Sequence, residues 1–403
     1  MVVRVKRPGS RGRGPAPAVL AGLVALVAVM GIFWWFLAPE PDPAEVRADV
    51  DAAEALSGAD TAGYARALEP RPFTFPEDHL SHPDFRTEWW YFTGNVETEE
   101  GRPFAYHLTI FRNAAAPRTP RRASAWNSRQ VWFAHLAVTD VEAERHHAFE
   151  RFGREALGLA GAEGDPVRVW LEDWEVEGTG DDLFPARLRA AEGPVALDLE
   201  LGEGKGPVPQ GDQGLSRKGP DPGNASYYLS WPRLPVQGTI TTPEGSFRVR
   251  GEGWLDREWS TSALDEAHEG WDWFSIQLES GRELMFYELR RRDGTADTLS
   301  KGALVEEDGS HRVLSLEEVE LEVLDQWASP LDGARYPSGW RLRIPAEGMD
   351  LRVEPLLRDQ EMNLSVRYWE GAVRVTGEDR GEPVRGRGFV ELTGYGPTAE
   401  EPG

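Results

Sequence analysis

Cysteine is missing from the 403-residue chain. Its absence excludes disulfide staples, thiolate metal sites, cysteine nucleophiles and any lipid anchor that needs a thiol. Lysine is scarce: Lys6, Lys205, Lys218 and Lys301 are the only four, and arginine supplies the rest of the 44 basic residues. Basic charge as a whole is outweighed by 68 acidic residues, for a net −24. Such a chain repels phosphate backbones, so no nucleic-acid partner is expected. Signature loops are also lacking. There is no Gly-x-Ser-x-Gly elbow, phosphate loop, dinucleotide fingerprint or His-Glu-x-x-His pair, which sets aside the layouts those motifs serve. Convincing amphipathic helices are few.

One long apolar run is present. Residues 19–38 contain no charge, about the length that crosses a bilayer core. Phe33, Trp34, Trp35 and Phe36 stand at its far end, where amphipathic rings favour the interface. Residues 1–18 carry +5, and with −24 overall this leaves −29 for the remainder. The expectation is a single-pass anchor in the cell membrane, with a cytoplasmic basic segment and a periplasmic C-terminal part. A cleaved signal peptide is the rival, although its apolar core is usually shorter. Residues 39–72 are rich in proline and acid, with an Ala-rich stretch from Val46 to Leu68; they read as a linker, partly helical.

From Phe73 onward, Trp, Tyr, Phe and Val alternate with polar residues in short runs between Gly, Pro and Asp turns, the pattern of antiparallel strands. Tyr91 to Val96, Phe274 to Leu278 and Leu316 to Leu324 are examples. The pattern repeats. Val249-Arg-Gly-Glu-Gly-Trp-Leu-Asp256 matches Val384-Arg-Gly-Arg-Gly-Phe-Val-Glu391, and Trp89-Trp-Tyr-Phe-Thr93 resembles Trp271-Asp-Trp-Phe-Ser275. The expected fold is all-β, two tandem antiparallel barrels over 73–260 and 261–396, since closure removes exposed edges. Two β-sandwiches are the fallback.

The repeat acts as an internal control on the charges. Asp256-Arg257-Glu258 is replaced in the second copy by Glu391-Leu392-Thr393, so a strand can be built there without that cluster. If its face is buried, Arg257 needs a carboxylate, and Glu88, Asp272 and Glu288 are the candidates. Its role is then either a structural clamp or a group that positions a ligand. Asp272, among Trp271, Trp273 and Phe274, is a candidate general acid through desolvation, or else the partner of Arg257. Tyr287 and Glu288 fall on the following strand. Glu88, Trp89, Trp90, Trp254, Trp259, Trp271, Trp273 and Tyr287 make a candidate ligand-binding set, since aromatic walls with few polar groups suit apolar ligands. Asp78-His79-Leu80-Ser81-His82 has the spacing of a metal half-site, but no second ligand cluster accompanies it, so no metal is expected. Asn224-Ala225-Ser226 is a weak glycosylation sequon.

These motifs together resemble the AttH/CrtC family of secreted AttH-like proteins, some described as predicted hydrolases, and carotenoid 1,2-hydratases. Glu88 to Gly94, Tyr227 to Leu234, Gly253 to Trp259 with Gly270 to Phe274, Tyr368 to Val373 and Gly388 to Tyr395 carry the resemblance, which covers roughly 73–396. It implies two lipocalin-like (calycin) barrels behind the N-terminal helix. For the hydratase branch it implies addition of water to a terminal alkene of a linear carotenoid, without a cofactor. There Asp256 and Trp259 match the family's stretch, whereas Arg257 stands in place of a histidine and Glu258 in place of an asparagine. Arginine stays protonated and cannot shuttle protons at neutral pH. The expected catalytic set is Asp256, Arg257, Glu258, Asp272 and Glu288. The expected partner is an apolar or amphipathic small molecule. The alternatives are a lipid carrier and an accessory subunit of an envelope transporter permease.

Overall fold

A computed structural model describes residues 50–51, 61–118, 127–262, 264 and 267–396. The basic segment 1–18 and the apolar run 19–38 lie outside the described residues, as does most of the 39–72 linker. Among the described residues there is no α-helix, only three single-turn 3-10 segments, and none is long and apolar enough to cross a membrane. Of the linker expected to be partly helical, residues 39–49 and 52–60 lie outside the described residues, and the described remainder holds no helix. Val50–Asp51 is a short strand parallel to Val366–Asp379. Residues 61–68 are turn and extended chain, held by Ala65 N–H donating to Asp84 O at 2.8 Å and Tyr64 OH donating to Ala114 O at 2.7 Å.

Two large antiparallel sheets, of 13 and 11 strands, make up the body. In the first, four hairpin-linked strands (Arg145–Arg154, Gln130–Asp140, Pro103–Ala114, Thr87–Glu97) lead to Gly245–Ser262, then Ala225–Thr242, then Val195–Leu201 and the short strands that precede it. The second repeats that wiring with His311–Ser315, Lys301–Val305, Glu283–Arg291, His268–Leu278, Glu382–Leu392, Val366–Asp379 and Met349–Pro355, ending in Arg335–Ile344 and Glu320–Ala328. The duplicated motifs therefore sit at matching places. Leu316 to Leu324, read as one strand, is split, because Ser315 and Glu318 cap a 3-10 turn before Glu320–Ala328 begins.

Each sheet curls around its own apolar core. Trp90, Phe92, Leu108, Trp132, Leu188 and Leu255 fill the first; Phe274, Ile276, Trp340, Leu351, Trp369 and Val390 fill the second. The first sheet nearly closes, since Arg151 on Arg145–Arg154 reaches across to Glu192 Oε2 at 2.9 Å and Ala191 O at 3.0 Å. The outer faces pack against one another through Tyr91, Tyr228, Trp254, Trp273, Met285 and Phe389. Asn95 Nδ2 donates to Gly388 O (3.1 Å) and Gln277 Nε2 to Gly253 O (2.9 Å), pinning the two sheets at equivalent glycines. A Cβ at Gly251 would collide with Asn95 O, and one at Gly388 with Ser275 O, so both positions hold neighbouring strands at closest approach.

Candidate functional site

Strand register builds the site. On the outer face of the first sheet two lateral rows run side by side, because residues two apart on a strand share a face. One row is aromatic with a single acid: Tyr228, Glu258, Trp89, Phe111, Phe133, Phe152. Its rings stack, Phe111 on Phe133 at 4.4 Å and Phe133 on Phe152 at 5.8 Å. The other is polar: Ser230, Asp256, Tyr91, Thr109, His135, Glu150. Opposite them the second sheet presents Glu370, Glu391, Trp273, Tyr287 and Lys301, again one residue per strand. Between the rows lies a cavity enclosing about 950 Å³ of unfilled space, its open mouth included.

Asp256 and Glu391 line this space, Glu370 sits beside Glu391, and all three are held by donors, with Asp256 and Glu370 buried and Glu391 half-buried. Asp256 accepts from Ser230 Oγ at 2.5 Å, Trp254 Nε1 at 2.7 Å and the Tyr228 hydroxyl. Trp273 Nε1 in turn donates to Tyr228 OH across the sheet junction at 2.9 Å. Burial pushes the Asp256 carboxyl up to about 7, outweighing those three donors, and the Glu258 charge adds to the rise. Glu370 and Glu391 oppose each other directly across two strands. Tyr91 OH donates to Glu370 at 2.6 Å and Trp271 Nε1 to Glu391 at 2.6 Å. Burial and the facing Glu391 push the Glu370 carboxyl far above the carboxylate range; burial pushes Glu391 up as well, against the Trp271 donor. Two raised carboxyls at one crossing retain a proton at neutral pH.

Lys218 is the one strong base among the described residues that line the cavity. It forms an ion pair with Glu258, and its Nζ lies 5.2, 5.5 and 6.0 Å from the ring centroids of Tyr228, Tyr287 and Trp89. His135 Nδ1 and Tyr368 OH are 2.8 Å apart, and burial pulls the His135 imidazole down to about 3. It is therefore neutral and serves as a hydrogen-bonding wall group.

The structure brings together only part of the set expected from sequence. Asp256, Glu258, Trp89, Trp271, Trp273 and Tyr287 line the cavity. Trp254 is buried behind them and acts through its bond to Asp256. Arg257, Glu88, Trp90 and Trp259 do not reach it, because alternation turns them into the core of the first sheet. There Arg257 Nη2 donates to Glu88 Oε2 at 2.6 Å and to Leu80 O at 2.6 Å, with its guanidinium 3.8 Å from the Trp90 ring centroid. Arg112 pairs with the same carboxylate. Burial opposes ionisation of Glu88, yet the Arg112 and Arg257 charges outweigh it and hold the carboxyl far below its usual range. His82 of the supposed metal half-site belongs to this clamp, stacking on Trp259 at 3.9 Å. Its ring also hydrogen-bonds Asp78 at 3.1 Å and Glu88 at 3.2 Å.

Asp272 and Glu288 also face away from the cavity, on the inner face of the second sheet. Asp272 is bound by Arg290 Nε and Tyr395 OH, each at 2.9 Å, and not by Arg257. Glu288 opposes it across the strand pair. Tyr91, Lys218, Tyr228, Ser230, His135, Tyr368, Glu370 and Glu391 escaped the sequence-based site. Glu391 had a signal, as the counterpart of Asp256 in the repeat. The others needed strand register, which a single sequence does not carry.

Two duplicated sheets with an acid-lined aromatic cavity at their junction define a class, and the comparisons give it a family. This chain belongs to the AttH-like family, whose model matches residues 66–395. It is similar to the crystal structure of an AttH protein from Nitrosomonas europaea, at 33% identity, covering 82% of this chain and 99% of that one, with a TM-score of 0.71. Kievitone hydratase from Nectria haematococca shares the fold at 15% identity, covering 82% and 98%, with a TM-score of 0.61. CghA, solved with Sch210972, is similar at 14% identity, covering 85% and 97%, with a TM-score of 0.50. No curated protein matches the sequence significantly.

Proposed function

We propose that this protein takes an apolar or amphipathic, isoprenoid- or lipid-like ligand into the junction cavity and adds water across a carbon–carbon double bond by acid catalysis, without a cofactor. The observation that carries this reading is a carboxyl group that keeps its proton near neutral pH while facing an aromatic wall. Asp256 gives its proton to one alkene carbon. The cation left on the other carbon lies against the ring face of Trp273, which stabilises positive charge, since the Trp89 and Tyr228 rings already face the Lys218 ammonium. Water then forms the C–O bond, and its spare proton returns to the Asp256 carboxylate, closing the cycle. The Glu370–Glu391 pair is a second reservoir for that proton. The hydratase among the structural neighbours is consistent with this reading.

The two sheets are read as two lipocalin-like barrels, supported by their repeated wiring and separate cores. Residues 19–38 are read as the anchor that holds them outside the cytoplasm, on the strength of their composition. The test is to incubate the full-length protein with a linear isoprenoid in oxygen-18 water and analyse the product by mass spectrometry. A labelled tertiary alcohol, lost in Asp256→Asn, supports the reading. A ligand that binds and is never converted overturns the catalytic half and leaves a carrier.

A further inference from the structure

Positive charge collects where Tyr287 meets the first sheet. Lys301 is the direct lateral neighbour of Tyr287. Alternation aims it at the first sheet, since Ala303 and Val305 on the same face pack on Val208 there. Arg217 and Lys218 approach from the other side, fixed by the 2.8 Å bond between Ser216 Oγ and Tyr287 OH. Lys218 spends one N–H on Glu258 and keeps two more donors. The half-buried Lys301 ammonium makes no hydrogen bond or ion pair with the described residues, its backbone alone pairing with Tyr287 and Ser315. Burial, followed by the charges of Lys218 and Arg217, pulls the Lys301 ammonium down to about 8, and Asp212 only partly offsets this. Glu258 neutralises Lys218, which leaves the Lys301 ammonium short of a full counter-charge beside the apolar cavity, an electrostatic strain that a bound anion relieves.

We propose that Lys301 and Lys218 form a subsite for the anionic head group of the ligand, a carboxylate or a phosphate, whose apolar body lies along Tyr287 and Trp273 toward Glu391. The proposal rests on the cavity being the ligand site and narrows the ligand to anionic amphiphiles. Arg217, exposed at the rim, steers the head group inward.

The test measures binding of three probes with one tail, farnesoate, farnesyl monophosphate and farnesol, to the full-length protein by tryptophan fluorescence. Either anion should bind about ten-fold or more tightly than the alcohol, the scale of a charged hydrogen bond, and salt should erode the difference. Whichever anion binds better identifies the head group. Lys301→Gln should remove the advantage of the anions and leave farnesol unchanged, whereas Lys301→Arg should retain most of it. Equal binding of all three probes, or equal weakening of all three by Lys301→Gln, overturns the subsite while the cavity reading stands. Failure of every probe to bind the wild type overturns both.

Discussion

Asp256 and Arg257 are adjacent in sequence and serve opposite sides of one sheet. The carboxyl of Asp256 faces the junction cavity beneath Tyr228, while the guanidinium of Arg257 is sealed over Trp90 in the core behind it. Chemistry and stability are thereby separated along a single strand.

Arg257→Met should therefore destabilise without altering the site. It strips one cation from the buried Glu88 carboxylate and frees Leu80 O. Breaking a buried pair from one side costs roughly 3 kcal/mol or more. Urea denaturation should show that loss, while ligand affinity measured well below the new melting temperature stays within about two-fold, the spread of a surface change. An affinity collapse in a folded variant would make Arg257 a ligand group after all.

Asp256→Asn should have the reverse signature. The amide still accepts from Ser230 and Trp254, so the fold persists, but it has no acidic proton. Turnover should fall by about 100-fold or more, the usual worth of a positioned acid. In the wild type the donor must be protonated, and its carboxyl sits at about 7. Activity should be full at acidic pH and fall about ten-fold per unit above 7. A rate that rises across that range would assign Asp256 as a base.

Glu391→Gln tests the carboxyl pair through stability. Glu391 is raised in the folded chain above its ordinary value of 4.5. The unfolded chain therefore ionises first as pH rises, and each unit of difference favours unfolding by about 1.4 kcal/mol. The stability Glu391 confers is fully present below about 4.5 and is lost as pH climbs toward the folded value. Glutamine does not titrate. The melting temperature of the variant relative to wild type should thus increase between pH 5 and pH 8, and a difference independent of pH would sink the paired-acid description.

Gly388→Ala should weaken the hold between the sheets. Its Cβ would meet the Ser275 carbonyl, and the strand must shift where Asn95 donates to Gly388 O. Overpacking of this kind costs about 1–3 kcal/mol. Thermal melts and cavity ligand affinity should both decline; an unchanged melt would show that the strands tolerate the separation.

Alternation and internal repetition made the strand content and the duplication legible in the sequence, because a period of two marks half-buried strands whatever their partners. Arg257's need for a carboxylate was also legible, since the cost of a buried lone charge follows from solvation alone, but which of Glu88, Asp272 and Glu288 supplies it was not. What stayed hidden was lateral. Glu370 lies 279 residues from Tyr91, whose hydroxyl it accepts, and nothing local to either residue encodes that meeting. Asp272 misled for the same reason. Its aromatic neighbours in sequence, Trp271 and Trp273, point to the other side of the strand, and its real partners are Arg290 and Tyr395.

The row from Glu391 through Trp273 and Tyr287 to Lys301 crosses four neighbouring strands. Strands lie about 4.8 Å apart, so the backbone positions of Glu391 and Lys301 are spaced by roughly 14 Å, three strand intervals. A molecule tethered at the cationic end reaches the Glu391 end of the row, where the reserve proton is held, only if its carbon backbone is that long, which turns the pitch of the sheet into a gauge that sorts homologous chains by length.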